Sequence, residues 1–577
     1  MVKFDVEYFQ GRLKKSQDKC YKKVPEIDST QRKAFNEACG AFQEADTPNA
    51  QAKAMKKCLK SGKKILENLD IAGTSASLET KLLVGAMISQ ATPQGLADWV
   101  AKDEGKHSMW MEQFMSSSDM IRFMLTHGGP KDGMWGQAIE IYFDISTIAE
   151  SAEMEETDPD VIKVSRKIAM ACALELAVPV NEFDTKVPVD PIARYNHYVE
   201  AYKNGELDPS FPHFSVWELR HVINCDAKND QLTWGREMIM NYAPYMTTLL
   251  DTKLRYNYIL DTDVLMRDPH WTSSPRTYQQ VLSGGGKDKP NAWFGRFILR
   301  AFGIPVWGLT CTQPKKESFA RWTPKGWECL RGANFENSIW QGVSGIDFLG
   351  EANSRSCYSA EDYYKKMVLL ESLAKIMDSR REGSTLNVDE SMVHPLFLWR
   401  SLAVIQRALL LEETNDDHYE RSGNSSIKTA VEKYLEIFEL DKDDTEIVNV
   451  KGKVLIPAAA HGYSSGNKMV IACLDGGKQL NLMGDAAVEY ELPDEIEPGT
   501  YTLKMEVCTV HLKQAPMKLT VNDTEDYTIK IPYTEGRWKK TEGVKVALDG
   551  GGDLIRFTRQ RPCFGVAIRR VGLVKGK

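Results

Sequence analysis

Residues 283–332 read SGGGKDKPNAWFGRFILRAFGIPVWGLTCTQPKKESFARWTPKGWECLRG, and the interpretation of the whole chain turns on them. Three glycines and a proline open the stretch as a loop. Ala292, Trp293, Phe294, Phe297, Ile298, Ala301 and Phe302 then recur at helical spacing, which predicts a buried helix. Gly303 and Pro305 are stop signals for it. The aromatic and β-branched runs at 306–312 and 319–330 predict two strands after it.

A glycine loop, a buried helix ending in Arg300-Ala301-Phe302-Gly303-Ile304-Pro305, a strand, and a second strand carrying Gly326-Trp327 resemble the core of the transglutaminase-like family of papain-type thiol enzymes. The resemblance implies a cysteine nucleophile at the helix start, a histidine base on the next strand and an orienting aspartate one strand later. A thiolate is the reactive form, and an adjacent imidazole generates it at neutral pH. This chain departs from that pattern at each position. Counting back one helix length from Gly303 puts Asp288 where the cysteine belongs. Lys316 or Phe319 stands near the histidine position, and Arg331 follows Gly326-Trp327 where an acid is expected. No histidine occurs between His270 and His394. The resemblance therefore implies the fold of that core without its reaction, with Asp288 and Lys316 expected to meet as an ion pair.

Upstream, residues 28–70 predict a helical hairpin with Ala34, Ala38, Ala41 and Phe42 on one stripe and Met55, Cys58, Leu59, Ile65 and Leu66 on the other. Helices continue to about residue 177. Five prolines between 178 and 215 predict an extended surface connector, and Ser215 and Glu218 have capping-box spacing for a further helix. His213 and His221 fall on different elements, and with His197 they read as isolated hydrogen-bonded imidazoles. Asp268, His270 and Trp271 read as a turn. Downstream, helices are expected near 359–377, 395–409 and 430–438, followed by an acidic linker at 439–446.

Beyond the linker the period changes to two. About eight alternating runs separated by turns such as Glu497-Pro498-Gly499-Thr500 and Asp549-Gly550-Gly551-Gly552 predict an antiparallel β-sandwich. PGTYTLKMEV at 498–507 and the run from 546 to 574 resemble the galactose-binding-like jelly roll of non-catalytic carbohydrate-binding modules. The resemblance implies sugar contacts in end loops, for which His461, Tyr463, Tyr533, Arg537 and Trp538 are the candidates. Gly536 marks the last three as belonging to a flexible, exposed turn.

The fold expected is thus multidomain α+β: an α-helical region over 1–250, a transglutaminase-like core with trailing helices over 251–440, and a jelly-roll sandwich over 446–577. With 577 residues and 42% hydrophobic content the chain has ample material for large cores. Its 73 basic and 80 acidic residues give a net charge of -7, which offers no global attraction to nucleic acid or anionic membranes. No run approaches a membrane span, and the N-terminal residues lack a signal-peptide centre, so the chain reads as soluble, cytoplasmic by default or secreted if a leader was removed. The 11 cysteines are dispersed without a CxxC pair, so no structural metal is expected, and no cofactor motif is present.

Three functions fit this reading. The first is a catalytically degenerate binding or scaffold protein whose sandwich docks on a glycan or another protein. The second is a thiol hydrolase or acyltransferase with a relocated nucleophile, Cys311 or Cys329, or with Asp288 as acid or base. The third is a structural protein of an assembly or biomineral.

Overall fold

The computed structural model describes residues 2–24, 26–69, 76–153, 158–244, 264–271, 274–323, 326–355, 361–378, 393–414, 440–473, 476–561 and 564–576. The expected cap near Ser359, the helix at 430–438 and most of the segment 242–265 lie outside them.

Along the chain, helices α1 (Val6–Lys23), α2 (Ser29–Gln43), α3 (Pro48–Asn68), α4 (Ala76–Ala91), α5 (Pro93–Lys102), α6 (Glu104–Ser116), α7 (Ser118–Thr126), α8 (Trp135–Glu153) and α9 (Pro159–Glu175) come first. Then come α10 (Pro191–Lys203), α11 (Val216–Ile223), α12 (Asn229–Tyr242), α13 (Tyr278–Gly284) and α14 (Asp288–Ala301). After five strands, α15 (Gly345–Arg355), α16 (Glu361–Leu373) and α17 (Leu398–Thr414) complete the helical body.

Local chemistry sets these boundaries. The Asp28 side chain accepts from the amides of Thr30 and Gln31 and starts α2, and Ser215 and Glu218 form the reciprocal capping box of α11. The 178–215 segment is not extended throughout. Asp190 caps α10 and Pro191 stands at its first position, where a missing N–H costs nothing, so this proline begins a helix instead of preventing one. Arg194 on α10, almost fully buried, donates to the carbonyls of Ile223, Cys225 and Ala227 and fastens the turn between α11 and α12.

Strands β1 (Val306–Thr312), β2 (Lys315–Thr323), β3 (Gly326–Cys329), β4 (Ser338–Trp340) and β5 (Val343–Ser344) form an antiparallel sheet in the order β3-β2-β1-β4-β5. The second strand expected at 319–330 is two, because the chain reverses between Thr323 and Gly326. Helix α14 packs on β1 and β2, its apolar side buried through Ala292, Phe294, Phe297 and Ile298. Buried side chains on both sides of residue 250 share one core, which runs from Phe9 and Trp99 through Trp234 to Phe297 and Phe319. A second cluster joins Phe35, Cys58 and Ile65 near the N-terminus to Leu369, Leu402 and Ile405.

The C-terminal part is an antiparallel β-sandwich of β6 (Val448–Val450), β7 (Lys453–Pro457), β8 (Tyr463–Ala472), β9 (Lys478–Glu491), β10 (Gly499–Cys508), β11 (Met517–Val521), β12 (Glu525–Ile529), β13 (Lys539–Lys540), β14 (Val544–Leu548), β15 (Leu554–Arg559) and β16 (Val566–Lys575). The long β9 serves both layers. Its 487–491 half pairs with β15 in a front sheet ordered β8-β9-β15-β11-β12, and its 480–482 part pairs with β16. β16 belongs to the back layer with β7 and β10. Alternate residues of both layers meet in a core that includes Leu482, Val488, Tyr490, Leu503, Leu519, Phe557 and Val571.

Among the described residues no helix is long and apolar enough to cross a membrane.

Candidate binding surfaces

The start of α14, where the resemblance places the nucleophile, is packed with polar groups that satisfy one another. Asn291 is fully buried. Its amide donates toward the Val264 carbonyl at 3.3 Å, and its oxygen accepts from Arg331. Arg331 has a left-handed backbone, φ 56°, which sets it beside the helix start. Lys316 does not pair with Asp288. Its Nζ donates to the Arg331 carbonyl at 2.6 Å, and the neighbouring Lys289 and Glu317 form a bridge at 3.2 Å. The expected Asp288–Lys316 ion pair is thus replaced by a lysine cap on the Arg331 carbonyl. Phe319, the alternative at the histidine position, is fully buried in the core.

The two fallback thiols are equally constrained. Cys311 is buried on β1 with Ser338 Oγ 3.9 Å from its sulfur. Cys329, half-buried on β3, has its pKa pushed up to about 12, first by burial and then by Cys311. Burial in apolar surroundings disfavours the thiolate and makes a cysteine inert. No group of three or more His, Cys, Asp or Glu side chains suited to a metal occurs among the described residues.

The turn around Gly536 is docked on α12 and is neither flexible nor open. Trp234 Nε1 donates to the Glu535 carbonyl at 2.8 Å and Asn241 Nδ2 to the Gly536 carbonyl at 3.1 Å. Gly536 has φ 74°, and a Cβ there would lie 2.3 Å from the Met238 side chain, so both backbone and space require glycine. Arg537 reaches Glu237 at 3.4 Å. Trp538 is half-buried against the helical core under the Arg569 guanidinium, 5.5 Å from its ring. Tyr533 meets Ser283, and burial pushes its phenol up. Three of the five sugar-contact candidates therefore lie at the junction between the sandwich and the helices.

The other two are on the far side. His461 is half-buried near the ring of Tyr490, and burial, ahead of Lys468, holds its imidazole below the usual range. Tyr463 is 56% exposed at the start of edge strand β8. Register carries it into a row across the front sheet: Tyr463 opposite Glu489, Glu489 opposite Arg556, Arg556 opposite Thr520, Thr520 opposite Asp526. Paired residues share a face, and this one points away from the core. Arg556 binds Glu489 and Asp523, each at 2.6 Å, while Thr520 donates to Asp526 at 2.9 Å. The neighbouring row begins with Ser465, Ala487 and Thr558. These three are small, and the row goes on through Lys518, whose ammonium pairs with Asp526 at 2.9 Å.

Of this row only Tyr463 was among the candidates from sequence; Glu489, Thr520, Asp526 and Arg556 were not. Each sits at an outward position of an alternating strand, but only the pairing of five strands brings them into one row.

No family profile matches the chain, and no curated protein matches it. Among solved structures it is similar to the C-terminal CBM6 of LamC, a laminarinase from Zobellia galactanivorans, at 15% identity and TM-score 0.18, covering 21% of this chain and 99% of that one. It is similar also to a family 35 carbohydrate-binding module from Clostridium thermocellum, at 17% identity and TM-score 0.19, covering 22% and 98%. A third is CsCBM6-3 from Clostridium stercorarium in complex with cellobiose, at 16% identity and TM-score 0.18, covering 21% and 93%. At such TM-scores these likenesses carry no argument about what the chain binds.

Proposed function

We propose that the chain is a glycan-binding protein, built on a transglutaminase-like core without the thiol reaction, and that the glycan lies across the outer face of the front sheet. The observation that carries this reading is the row from Tyr463 to Asp526. A sugar ring offers an apolar face and vicinal hydroxyls that donate and accept at once. An exposed tyrosine ring next to fixed carboxylate and guanidinium groups meets both requirements. The small residues Ser465, Ala487 and Thr558 in the neighbouring row leave a chain room to lie beside Tyr463, Glu489 and Arg556. The filled start of α14 and the buried thiols support the non-catalytic half of the proposal.

The test is retention on a polysaccharide array by the full chain and by Tyr463→Ala and Arg556→Ala. Tyr463→Ala is expected to lower retention at least about tenfold on every glycan the parent holds, the loss of one well-placed anchor, with an unchanged melting temperature. Equal retention by parent and both variants would remove the front sheet as the site.

A further inference from the structure

A concavity of about 400 Å³ lies where the helical body meets the small sheet. One wall is the loop His127–Gly133, HGGPKDG, between α7 and α8. The others come from the end of α9, from α11, and from β1, β5 and α15 across the gap. Neither the thiol chemistry nor the front sheet uses this cleft.

Its polar groups are held in place before any ligand arrives. Arg220 donates Nε to Glu175 at 3.1 Å and Nη1 to the carbonyls of His127 and Gly129 at 2.7 and 2.8 Å. Glu175 also accepts from Lys131 at 2.9 Å and from Asn224 at 2.7 Å. The second Arg220 nitrogen, Nη2, has no partner among the described residues, so a guanidinium fixed on one side keeps two donors on the other. Across the gap Glu351 is held by Arg355 Nε at 2.7 Å, and about a third of its side chain stays exposed. Gly128, with φ 91°, lets the loop come this close: a Cβ there would stand 3.1 Å from Arg220 Nη1 and 3.6 Å from Glu351 Oε1.

The remaining wall is aromatic. Trp307 and Phe348 stack at 4.1 Å with nearly parallel planes, Trp217 leans on Phe348 at 5.7 Å, and His221 stands edge-on to Trp217 at 4.4 Å. Val343, 42% exposed, forms the rim.

From these features we infer that the cleft is a separate saccharide site, which takes a neutral mono- or disaccharide or the end of a glycan chain. Pre-positioned donors on Arg220 and Lys131 face an acceptor on Glu351 beside a flat apolar wall, the combination that vicinal hydroxyls on a sugar ring satisfy. The volume falls in the range of small-ligand pockets, about 300–1,000 Å³. The preference for a neutral ligand follows from the charges of the lining, where Lys131 and Arg220 are outnumbered by Asp132, Glu175 and Glu351. Carboxylates this close to the ligand disfavour an anion. The inference stands apart from the front-sheet proposal, since no residue is common to both.

Tryptophan fluorescence of the full chain tests it, with Trp217 and Trp307 as reporters and glucose, galactose, mannose, xylose and cellobiose as probes. Titrations in the Tyr463→Ala, Arg556→Ala background remove any front-sheet contribution. A saturable change with at least one probe is expected, insensitive to added NaCl. It should weaken at least about tenfold in Glu351→Gln and in Val343→Arg. Val343→Arg places a long side chain at the exposed rim, so it blocks the mouth without threatening the fold. Silence with all five probes overturns the inference, as does a response that both variants retain. Tighter binding of glucuronate than of glucose, lost on adding salt, would overturn the neutral-sugar assignment in favour of an acid site. Loss of retention by Tyr463→Ala on the array, with the cleft titration intact, would separate the two proposals.

Discussion

The two ends of the sandwich carry similar residues and have opposite fates. At one end Tyr533, Arg537 and Trp538 surround a glycine in a turn docked on the helices, with Gln479 and Asn481 of β9 donating to the carbonyls of Asn241 and Tyr242 at 2.9 and 2.8 Å. At the other, Tyr463 lies open beside Glu489 and Arg556. Aromatic rings with arginine and glycine nearby suit an interdomain seam as well as a sugar site. What separates the two is whether a neighbouring element docks on the turn, as α12 does through Trp234 and Asn241, and composition does not contain that information.

The largest effect that would sharpen this contrast is at the seam. Gly536→Val adds a side chain where the backbone is left-handed and Met238 is in the way, and the cost is on the order of 3 kcal/mol from backbone strain plus overpacking. A clear fall in melting temperature is expected in differential scanning calorimetry, against no shift for Tyr463→Ala. An unchanged melt for Gly536→Val would mean that the turn undocks freely. Residues 446–577 alone are next. The core between the two sheets is complete within this segment, so a cooperative β-type unfolding transition is expected. It should come at a lower temperature than the same region in the full chain, because Ile471, Cys508, Val510 and Ala567 lose their helical partners. A fragment without a cooperative transition would show that the seam is part of one indivisible core.

Acid separates the regions further. In the helical body His127 has its pKa pushed down to about 3, by burial first and then by Arg355, Arg220 and Lys167, and His197 to about 3 by burial, Arg236 and Arg194. Between pH 6.5 and 3 the unfolded chain protonates these imidazoles and the native state does not. Stability therefore falls as pH drops through that window, by up to about 1.4 kcal/mol per pH unit for each histidine. His127→Gln should flatten the pH dependence of the urea midpoint between pH 6 and 4. An unaltered slope would show that His127 already takes up its proton in the folded protein.

How far these features were legible in the sequence depended on range. Local signals were dependable: the Ser215-Glu218 box, the α14 stripe with its Gly303 stop, and the alternation of 517–521 all appear as read. Pro191 misled because the same ring that breaks a helix interior suits its first position, and only the Asp190 cap reveals which applies. The front-sheet row joins residues 463, 489, 520, 526 and 556, and the cleft joins 131, 175, 220, 307 and 351. The row has no short-range signature, and the cleft has one only in a single loop. The HGGPKDG loop was the one local trace of the cleft, since so dense a run of glycine around a proline is costly to order unless something must approach closely.

The smallest effect expected is at the core, where the prediction is of no activation. Acyl transfer of the transglutaminase type needs a thiolate, an imidazole to generate it and a donor pair for the oxyanion, and loss of nucleophile or base typically lowers turnover by several orders of magnitude, about 10⁶ in the best-studied serine case. At the helix start Asn291 and Arg331 bond to each other, Lys316 is spent on a backbone carbonyl, and no cysteine is present. Cys311 lies under Ser338 and Cys329 is held protonated. Neither glutamine-amine crosslinking nor thiol-protease turnover above buffer is therefore expected. Iodoacetamide should modify Cys311 and Cys329 no faster than an unactivated thiol of pKa about 8.5, and more slowly in the folded chain than in urea. Mass spectrometry of peptides alkylated at pH 6 reads this directly. One cysteine consumed within minutes, with simultaneous loss of any measured turnover, would show that a replacement nucleophile exists and that the core acts chemically instead of carrying the binding surfaces.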